Sequence, residues 1–142
     1  MPFTGPAEDR LAIRELLETY ADAVARVDAD AWAATWAEDA EWSLPDYPEL
    51  GTTVGRPAIR AMWVEAMKHY PGMNFQAWPG SIEVNGDTAQ MRSYTSEVYD
   101  QDGVTKRDQG VYTDVCVKID GQWFFKSRVF RNVHRQHGPK GC

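Results

Sequence analysis

The spacing of apolar residues near the start of the chain predicts an amphipathic helix, because they recur every three or four positions. The apolar stripe consists of Ile13, Leu16, Leu17, Tyr20, Val24 and Val27. A second, short helix is predicted to follow, with Asp28 or Asp30 as its cap and with Trp32 and Trp36 on one side. The pattern at residues 40–44 then predicts a strand, which ends at a proline-rich turn.

A third helix is predicted from about Arg56 to about His69, where Pro71 and Gly72 end it. Beyond it, alternating residues and turn signals predict four strands, at 74–84, 88–100, 106–119 and 122–134. Pro79 and Gly80 indicate a bulge or bend in the first of these strands. Helices before and among strands, followed by an antiparallel meander, predict an α+β fold. We expect a cone-shaped, curled antiparallel sheet that encloses a pocket with the three helices.

Length and composition limit the partners of the protein. Its 142 residues suit a single domain over residues 1–142, with a core at about 8–133 and a loose tail. A net charge of −6 without a basic cluster argues against nucleic acid, and no apolar run could span a membrane. Two cysteines and no signal-peptide pattern favour the cytoplasm. Six Trp, six Tyr and five Phe can fill a core or line a pocket for a flat apolar ligand.

The strand "AQMRSYTSEVYD", residues 89–100, places one carboxylate on an otherwise small and apolar face. Side chains alternate along a strand, so Thr95 and Glu97 share the predicted inward face with Ala89 and Met91. A buried carboxylate is costly unless it is paired or used. Glu97 is therefore a candidate general base, although a strand-end residue that reaches water remains the alternative.

Motifs for metals and nucleotides are missing from the sequence. There is no phosphate-binding glycine loop, no Cys-x-x-Cys pair and no His-Glu-x-x-His motif. His134 and His137 are three residues apart, but their place at a strand end predicts solvated histidines. We therefore expect no cofactor and no metal, and any catalysis should be acid–base chemistry.

Two stretches resemble a known family. "AIRELLETYADAVARVDADAWAATWAEDAEW" and "GVYTDVCVKIDGQWFFKSRVFR" are similar to the SnoaL-like branch of the nuclear transport factor two-like superfamily, over about residues 8–133. That branch includes scytalone dehydratase, hexachlorocyclohexane dehydrochlorinase and bile acid dehydratase. The resemblance implies a pocketed α+β barrel. The dehydratases use an Asp–His pair, but Ala25 and Phe75 stand at the matching positions.

Other positions match residues that face the cavity in the family. The resemblance implies that Tyr20 is a cavity phenol, that Glu97 is a pocket carboxylate and that Arg128 is a cavity arginine. Asp108 shares strand parity with Tyr112, which matches a wall position, as does Trp42. The predicted catalytic residues are Tyr20, Glu97, Arg128 and Asp108, and the predicted substrate-binding residues are Trp42, Phe75, Thr95, Tyr112 and Asn132. Core packing for Tyr20 and a sheet-surface position for Arg128 stay open.

These residues and the resemblance predict that the protein is a cofactor-independent lyase. It would act on a hydrophobic aromatic or polycyclic small molecule by dehydration or by retro-aldol deformylation. A proton-transfer isomerase similar to ketosteroid isomerase, or a non-catalytic binding module, is the alternative. Because the lyases of this branch are commonly trimers, the resemblance also implies a homo-oligomer, with a trimer favoured over a dimer.

Overall fold

A computed structural model describes residues 1–138. It contains three helices and seven strands, which confirms the α+β prediction. The helices are α1 (Ala7–Arg26), α2 (Ala29–Ala33) and α3 (Arg56–Met67). The strands are β1 (Phe3–Thr4), β2 (Trp36–Ser43), β3 (Thr52–Val54), β4 (Asn74–Asn85), β5 (Thr88–Gln101), β6 (Val104–Ile119) and β7 (Gln122–Gln136).

The strands form one curled, unclosed sheet in the order β1-β4-β5-β6-β7-β2-β3. The four long strands β4 to β7 pair antiparallel in sequence order, as the meander pattern predicts. The sheet as a whole is mixed, which corrects the antiparallel prediction, because β2 lies parallel to β7 and β1 lies parallel to β4. Helix α1 packs against β4 and β7, and α3 packs against β2 and β3. The helices therefore cover the concave face.

Local sequence signals account for the ends of these elements. The side chain of Asp28 accepts a hydrogen bond from the backbone N–H of Ala31 and so caps α2. Pro57 lies in the first turn of α3, where its missing N–H costs nothing. Asp102 and Asp120 have positive φ angles of 57° and 51°, and each precedes a glycine in a tight hairpin turn. The bulge at Pro79 is confirmed by a register shift between β4 and β5.

Four details of the predicted elements differ from the structure. Val27 ends α1 in a left-handed conformation and is 59% exposed, so it does not continue the apolar stripe. Trp36 begins β2 instead of extending α2. The short strands β1 and β3 were not predicted, because two or three residues carry no readable alternation. Strand β7 continues to Gln136, beyond the predicted start of the tail, and the end of that predicted tail, residues 139–142, lies outside the described part.

The core consists largely of aromatic side chains between the sheet and the helices. Trp32 and Trp36 are fully buried, and Trp32 stacks on Trp63 of α3 with the ring centroids 4.6 Å apart. Phe125 of β7 lies 5.9 Å from Trp36 by the same measure. Within residues 1–138, no helix is long and apolar enough to cross a membrane.

Candidate active site

A cavity of about 330 Å³ lies between the concave face of the sheet and the helices. Helix α1 contributes Tyr20 and Val24 to its wall, and α3 contributes its methionine-rich face. Five residues predicted from the sequence line this cavity: Tyr20, Trp42, Phe75, Glu97 and Tyr112. The sequence pattern placed these residues on five different elements, and the fold brings them to one lumen.

Glu97 is the one carboxylate that the sheet presents to the cavity among residues 1–138. Its side chain makes no hydrogen bond to any other side chain in this part of the protein, so its charge is poorly compensated. Burial raises the pKa of Glu97 to about 7, and the negative charge of Asp108 adds to this rise while Arg135 opposes it. A carboxyl group with this pKa is partly ionised at neutral pH, and it can both accept and return a proton.

Two of the four tyrosines that line the cavity, Tyr20 and Tyr112, are buried. Burial raises the pKa of the Tyr20 hydroxyl, although the positive charge of Arg128 acts in the opposite direction. Burial also raises the pKa of Tyr112. The indole Nε1 of Trp42 donates a hydrogen bond of 3.2 Å to the Tyr112 hydroxyl. Both phenols therefore keep their protons at neutral pH and can donate hydrogen bonds to a ligand oxygen.

Arg128 does not line the cavity, which corrects the position predicted for it. Its side chain is fully buried, and Nε donates a 2.7 Å hydrogen bond to Asp114, which is also fully buried. Nη2 donates to the hydroxyl of Ser93 at 3.0 Å. The guanidinium carbon lies 3.7 Å from the ring centroid of Tyr112 and 4.5 Å from that of Tyr20. Arg128 therefore acts on the lumen only through the phenol rings, by its positive charge.

Asp108 also lies outside the lumen, although it is buried beside it. It accepts a 2.6 Å hydrogen bond from the hydroxyl of Tyr99, and His137 Nε2 lies 2.6 Å from its other oxygen. Arg135 Nε lies 3.6 Å from that same oxygen. His137 is exposed, as expected for a solvated histidine, but its ring also contacts Asp108, which the sequence did not predict.

Two further predicted substrate-binding residues do not line the cavity. Thr95 is buried in the sheet, and its hydroxyl has no hydrogen-bond partner within residues 1–138. Asn132 donates a 3.1 Å hydrogen bond from its amide to the hydroxyl of Tyr47, which does line the cavity. Ala25, at the position where the dehydratases have an aspartate, is exposed on α1 and does not line the cavity. The cavity therefore has no carboxylate that corresponds to that aspartate.

Sequence reasoning missed the wall opposite the sheet. Helix α3 and the segments around it contribute Met62, Trp63, Ala66, Met67, Tyr70 and Met73, and the loop before β3 adds Leu44, Tyr47, Glu49 and Leu50. The three- and four-residue spacing of Met62, Trp63, Ala66 and Met67 marks one helix face and could have identified the α3 part. The loop residues carry no periodic signal.

Phe130 closes the cavity beside Tyr112, with their ring centroids 4.9 Å apart. Its ring lies over Gly110 of β6, where an added Cβ would overlap the ring carbons. Gly110 is therefore needed for the position of Phe130. In residues 1–138 no three His, Cys, Asp or Glu side chains are grouped so that they could hold a metal ion.

Comparison with known families decides the assignment of the fold. The sequence profile of the SnoaL-like domain matches residues 6–129, which is most of the chain. The protein belongs to the SnoaL-like domain family. This agrees with the resemblance found in the sequence. A search of curated proteins finds no match.

Solved structures of other proteins share the fold of this chain. Hexachlorocyclohexane dehydrochlorinase LinA-type3 from Novosphingobium barchaimii superimposes with a TM-score of 0.82 at 19% identity, covering 94% of this chain and 92% of that one. A candidate scytalone dehydratase from Novosphingobium aromaticivorans gives 0.79 at 24% identity, with 94% of each chain covered. A protein of unknown function with a cystatin-like fold, from Nostoc punctiforme, gives 0.77 at 24% identity, covering 94% of this chain and 96% of that one. These similar structures thus include one protein named as a dehydratase and one named as a dehydrochlorinase.

Proposed function

We propose that this SnoaL-like protein is a cofactor-independent lyase that acts on a neutral, hydrophobic aromatic or polycyclic small molecule. The observation that carries the proposal is Glu97, a carboxyl group with a pKa of about 7 in an aromatic cavity that four tyrosines also line, two of them buried. General bases work best when their pKa lies near the operating pH. Relatives named as a dehydratase and a dehydrochlorinase support elimination chemistry on this fold.

Glu97 takes a proton from the substrate, and Tyr20 or Tyr112 donates a hydrogen bond to the oxygen that gains negative charge. In a dehydration, the proton leaves a carbon next to a carbonyl, and the protonated carboxyl then returns a proton to the departing hydroxyl, so that water leaves. In a retro-aldol reaction, Glu97 takes the proton of a hydroxymethyl group. The bond between the hydroxymethyl carbon and the carbon next to the carbonyl then breaks, and formaldehyde leaves. The two electrons of that bond form an enolate that the phenol stabilises, and the protonated Glu97 returns its proton to the enolate carbon.

The charges around the lumen favour a neutral substrate. Of the residues in 1–138 that line the cavity, none is Lys, Arg or His, while Glu49 and Glu97 are acidic. A carboxylate or phosphate on the substrate would therefore lose its hydration without gaining a cationic partner. Tryptophan, tyrosine, phenylalanine and methionine side chains dominate the wall, and they suit a flat apolar ring system.

Isomerisation is the second candidate function. It needs one base that moves a proton and a donor for the enolate oxygen, and the cavity offers one carboxylate on the sheet together with tyrosine hydroxyls. The single carboxylate favours this reaction over eliminations that use a separate acid and base. A protein that only binds such molecules would share the cavity but would not need the raised pKa of Glu97.

One experiment separates these functions. The protein is incubated in D₂O with a panel of neutral aryl-propanoid and polyketide hydroxy-ketones, and the products are followed by mass spectrometry. Loss of water or formaldehyde supports the lyase. Incorporation of deuterium into the substrate without loss of water or formaldehyde supports the isomerase. A raised melting temperature with unchanged ligands throughout the panel would overturn both, because it shows binding alone.

We also infer that the protein forms a homo-oligomer, with a trimer favoured. The outer face of the sheet carries Trp78, which is 47% exposed and stacks on Tyr94 with ring centroids 6.1 Å apart. Arg92 donates a hydrogen bond to the Tyr94 hydroxyl on the same face. Such an aromatic surface is suited to a partner. Light scattering tests the inference, and a mass near 16.1 kDa at micromolar concentration would contradict it.

A further inference from the structure

A row of four side chains crosses the concave face beside the cavity. Phe75 of β4 pairs with Glu97 of β5, Glu97 pairs with Asp108 of β6, and Asp108 pairs with Arg135 of β7. Residues directly opposite each other in antiparallel strands project from the same face, with Cβ atoms about 4.5–5.5 Å apart. The backbone register therefore places the carboxyl groups of Glu97 and Asp108 side by side.

Three side chains hold Asp108 in this position. Tyr99 donates a hydrogen bond to one carboxylate oxygen at 2.6 Å. His137 Nε2 and Arg135 Nε lie 2.6 Å and 3.6 Å from the other oxygen. Asp108 is 6% exposed, does not line the cavity and has both oxygens engaged, so it cannot itself contact a substrate there.

Apart from the acidic side chain of Glu49, in the loop before β3, the other groups that line the cavity with Glu97 carry little charge. Tyr20 from α1, Tyr70 from the segment after α3, and Tyr112 from β6 line the same cavity, and phenols are neutral near pH 7. Phe75 of β4 is apolar. Tyr99 lies on the face of β5 that Glu97 shares, and His137 reaches this region only through Asp108. The charges that act on Glu97 are those of Asp108 and Arg135, and they oppose each other.

We propose that Asp108 is a positioning residue: Tyr99, His137 and Arg135 fix its carboxylate directly beside Glu97, where its charge controls the protonation of Glu97. This inference rests on the proposed function, in which Glu97 is the base. The sequence-based expectation made Asp108 a catalytic residue. The geometry instead assigns it an action through Glu97, because one negative charge beside another disfavours ionisation of its neighbour.

The test is a titration of Glu97 in the full-length protein by ¹³C NMR with labelled glutamate, in which Glu97→Gln identifies the Glu97 signal. In Asp108→Asn the midpoint of Glu97 is expected to fall by about half a unit or more. In Arg135→Met it is expected to rise, because the opposing positive charge is gone. Arg131→Met, an exposed arginine on the same strand that pairs with Asp46, is the matched control and should leave the midpoint in place.

The two variants with opposite shifts distinguish electrostatic positioning from a structural role. If Asp108 has only a structural role, Asp108→Asn will be less stable than the unaltered protein, but the titration midpoint of Glu97 will not move. That result would overturn the inference. If Asp108→Asn does not fold, Asp108→Ser replaces it, since the smaller hydroxyl side chain also removes the charge. Asp108→Glu, which keeps the charge, should retain the midpoint of the unaltered protein.

The NMR midpoint does not depend on turnover, so the inference and the proposed function can fail separately. If Glu97 is the base, the acid limb of kcat/KM against pH follows the NMR midpoint in every variant. A midpoint that moves while the kinetic profile stays fixed supports positioning by Asp108 but removes Glu97 as the base. A midpoint that is unmoved in Asp108→Asn removes the inference, whatever the kinetics show.

Discussion

Asp108 and Asp114 project from the same face of β6, yet they lie in different environments. Asp114 meets Arg128, and both side chains are fully buried, with Ser93 donating a further hydrogen bond to Asp114 at 2.7 Å. Asp108 meets Arg135 and His137, whose side chains are 44% and 33% exposed. The inner pair is balanced, whereas the outer cluster leaves Glu97 beside a negative charge. A structural ion pair and the carboxyl group that we propose as the base thus lie on one sheet face.

The largest expected effect is on Glu97 itself. Glu97→Gln keeps the shape of the side chain but removes the proton acceptor. On any substrate that the protein turns over, we expect kcat to fall by about 10²–10⁴, the usual contribution of a positioned general base. KM should change little, because the lost interaction acts mainly in the transition state. Steady-state kinetics measure both.

Asp100→Asn is the matched control for Glu97→Gln, because Asp100 is an exposed carboxylate on the same strand. It should leave kcat within about twofold of the unaltered protein. Near-normal turnover in Glu97→Gln would show that the base is another residue.

The second prediction compares two arginines of β7, Arg128 and Arg135. Arg128→Met leaves Asp114 buried without a counter-charge, and we expect it to lower the free energy of unfolding by about 3–5 kcal/mol. Arg135→Met removes a partly exposed partner of Asp108 and should cost less than about 1 kcal/mol. Chemical denaturation measures both. Equal losses would mean that the inner pair is no more structural than the outer one.

The contrast between these clusters could be predicted only in part from the sequence. Strand alternation placed Glu97 on the inward face and gave Asp108 and Asp114 the same parity, because the two-residue period fixes the face of each side chain. It could not show which arginine meets which aspartate. That depends on the β6–β7 register, which a bulge shifts between Gln109 and Gly110.

The walls of the cavity could also be predicted only in part from the sequence. The sheet side followed from strand patterns, whereas the loop with Tyr47 and Leu50 has no periodicity to read. The last strand is apolar on both faces, so alternation alone could not place Arg128. His137 was assigned to a tail, because the sequence does not show how far β7 extends.

The third prediction concerns Tyr20, which lies between the two clusters. Its ring packs 4.5 Å from the guanidinium carbon of Arg128, and its side chain lines the cavity with Glu97. Tyr20→Phe removes one hydrogen-bond donor and should lower kcat by about tenfold to 10²-fold, less than the loss in Glu97→Gln. Tyr94→Phe on the outer face is the control and should have no such effect. A loss as large as that in Glu97→Gln would make the phenol the principal acid–base group.

The fourth prediction concerns the pH dependence of stability that Glu97 contributes. Its pKa rises from 4.5 to about 7 on folding, so the folded state holds this proton more tightly than the unfolded state. The free energy of unfolding therefore falls as the pH rises from about 4.5 to about 7, and beyond that this contribution is constant. Glu97→Gln removes it. The variant should match the unaltered protein near pH 4 and exceed it by about 3 kcal/mol at pH 8. Urea denaturation across this range measures the difference, with Glu83→Gln, an exposed carboxylate on β4, as the control. A difference that does not change with pH would mean that Glu97 is well solvated, and the distinction between the balanced inner pair and the unbalanced outer cluster would then disappear.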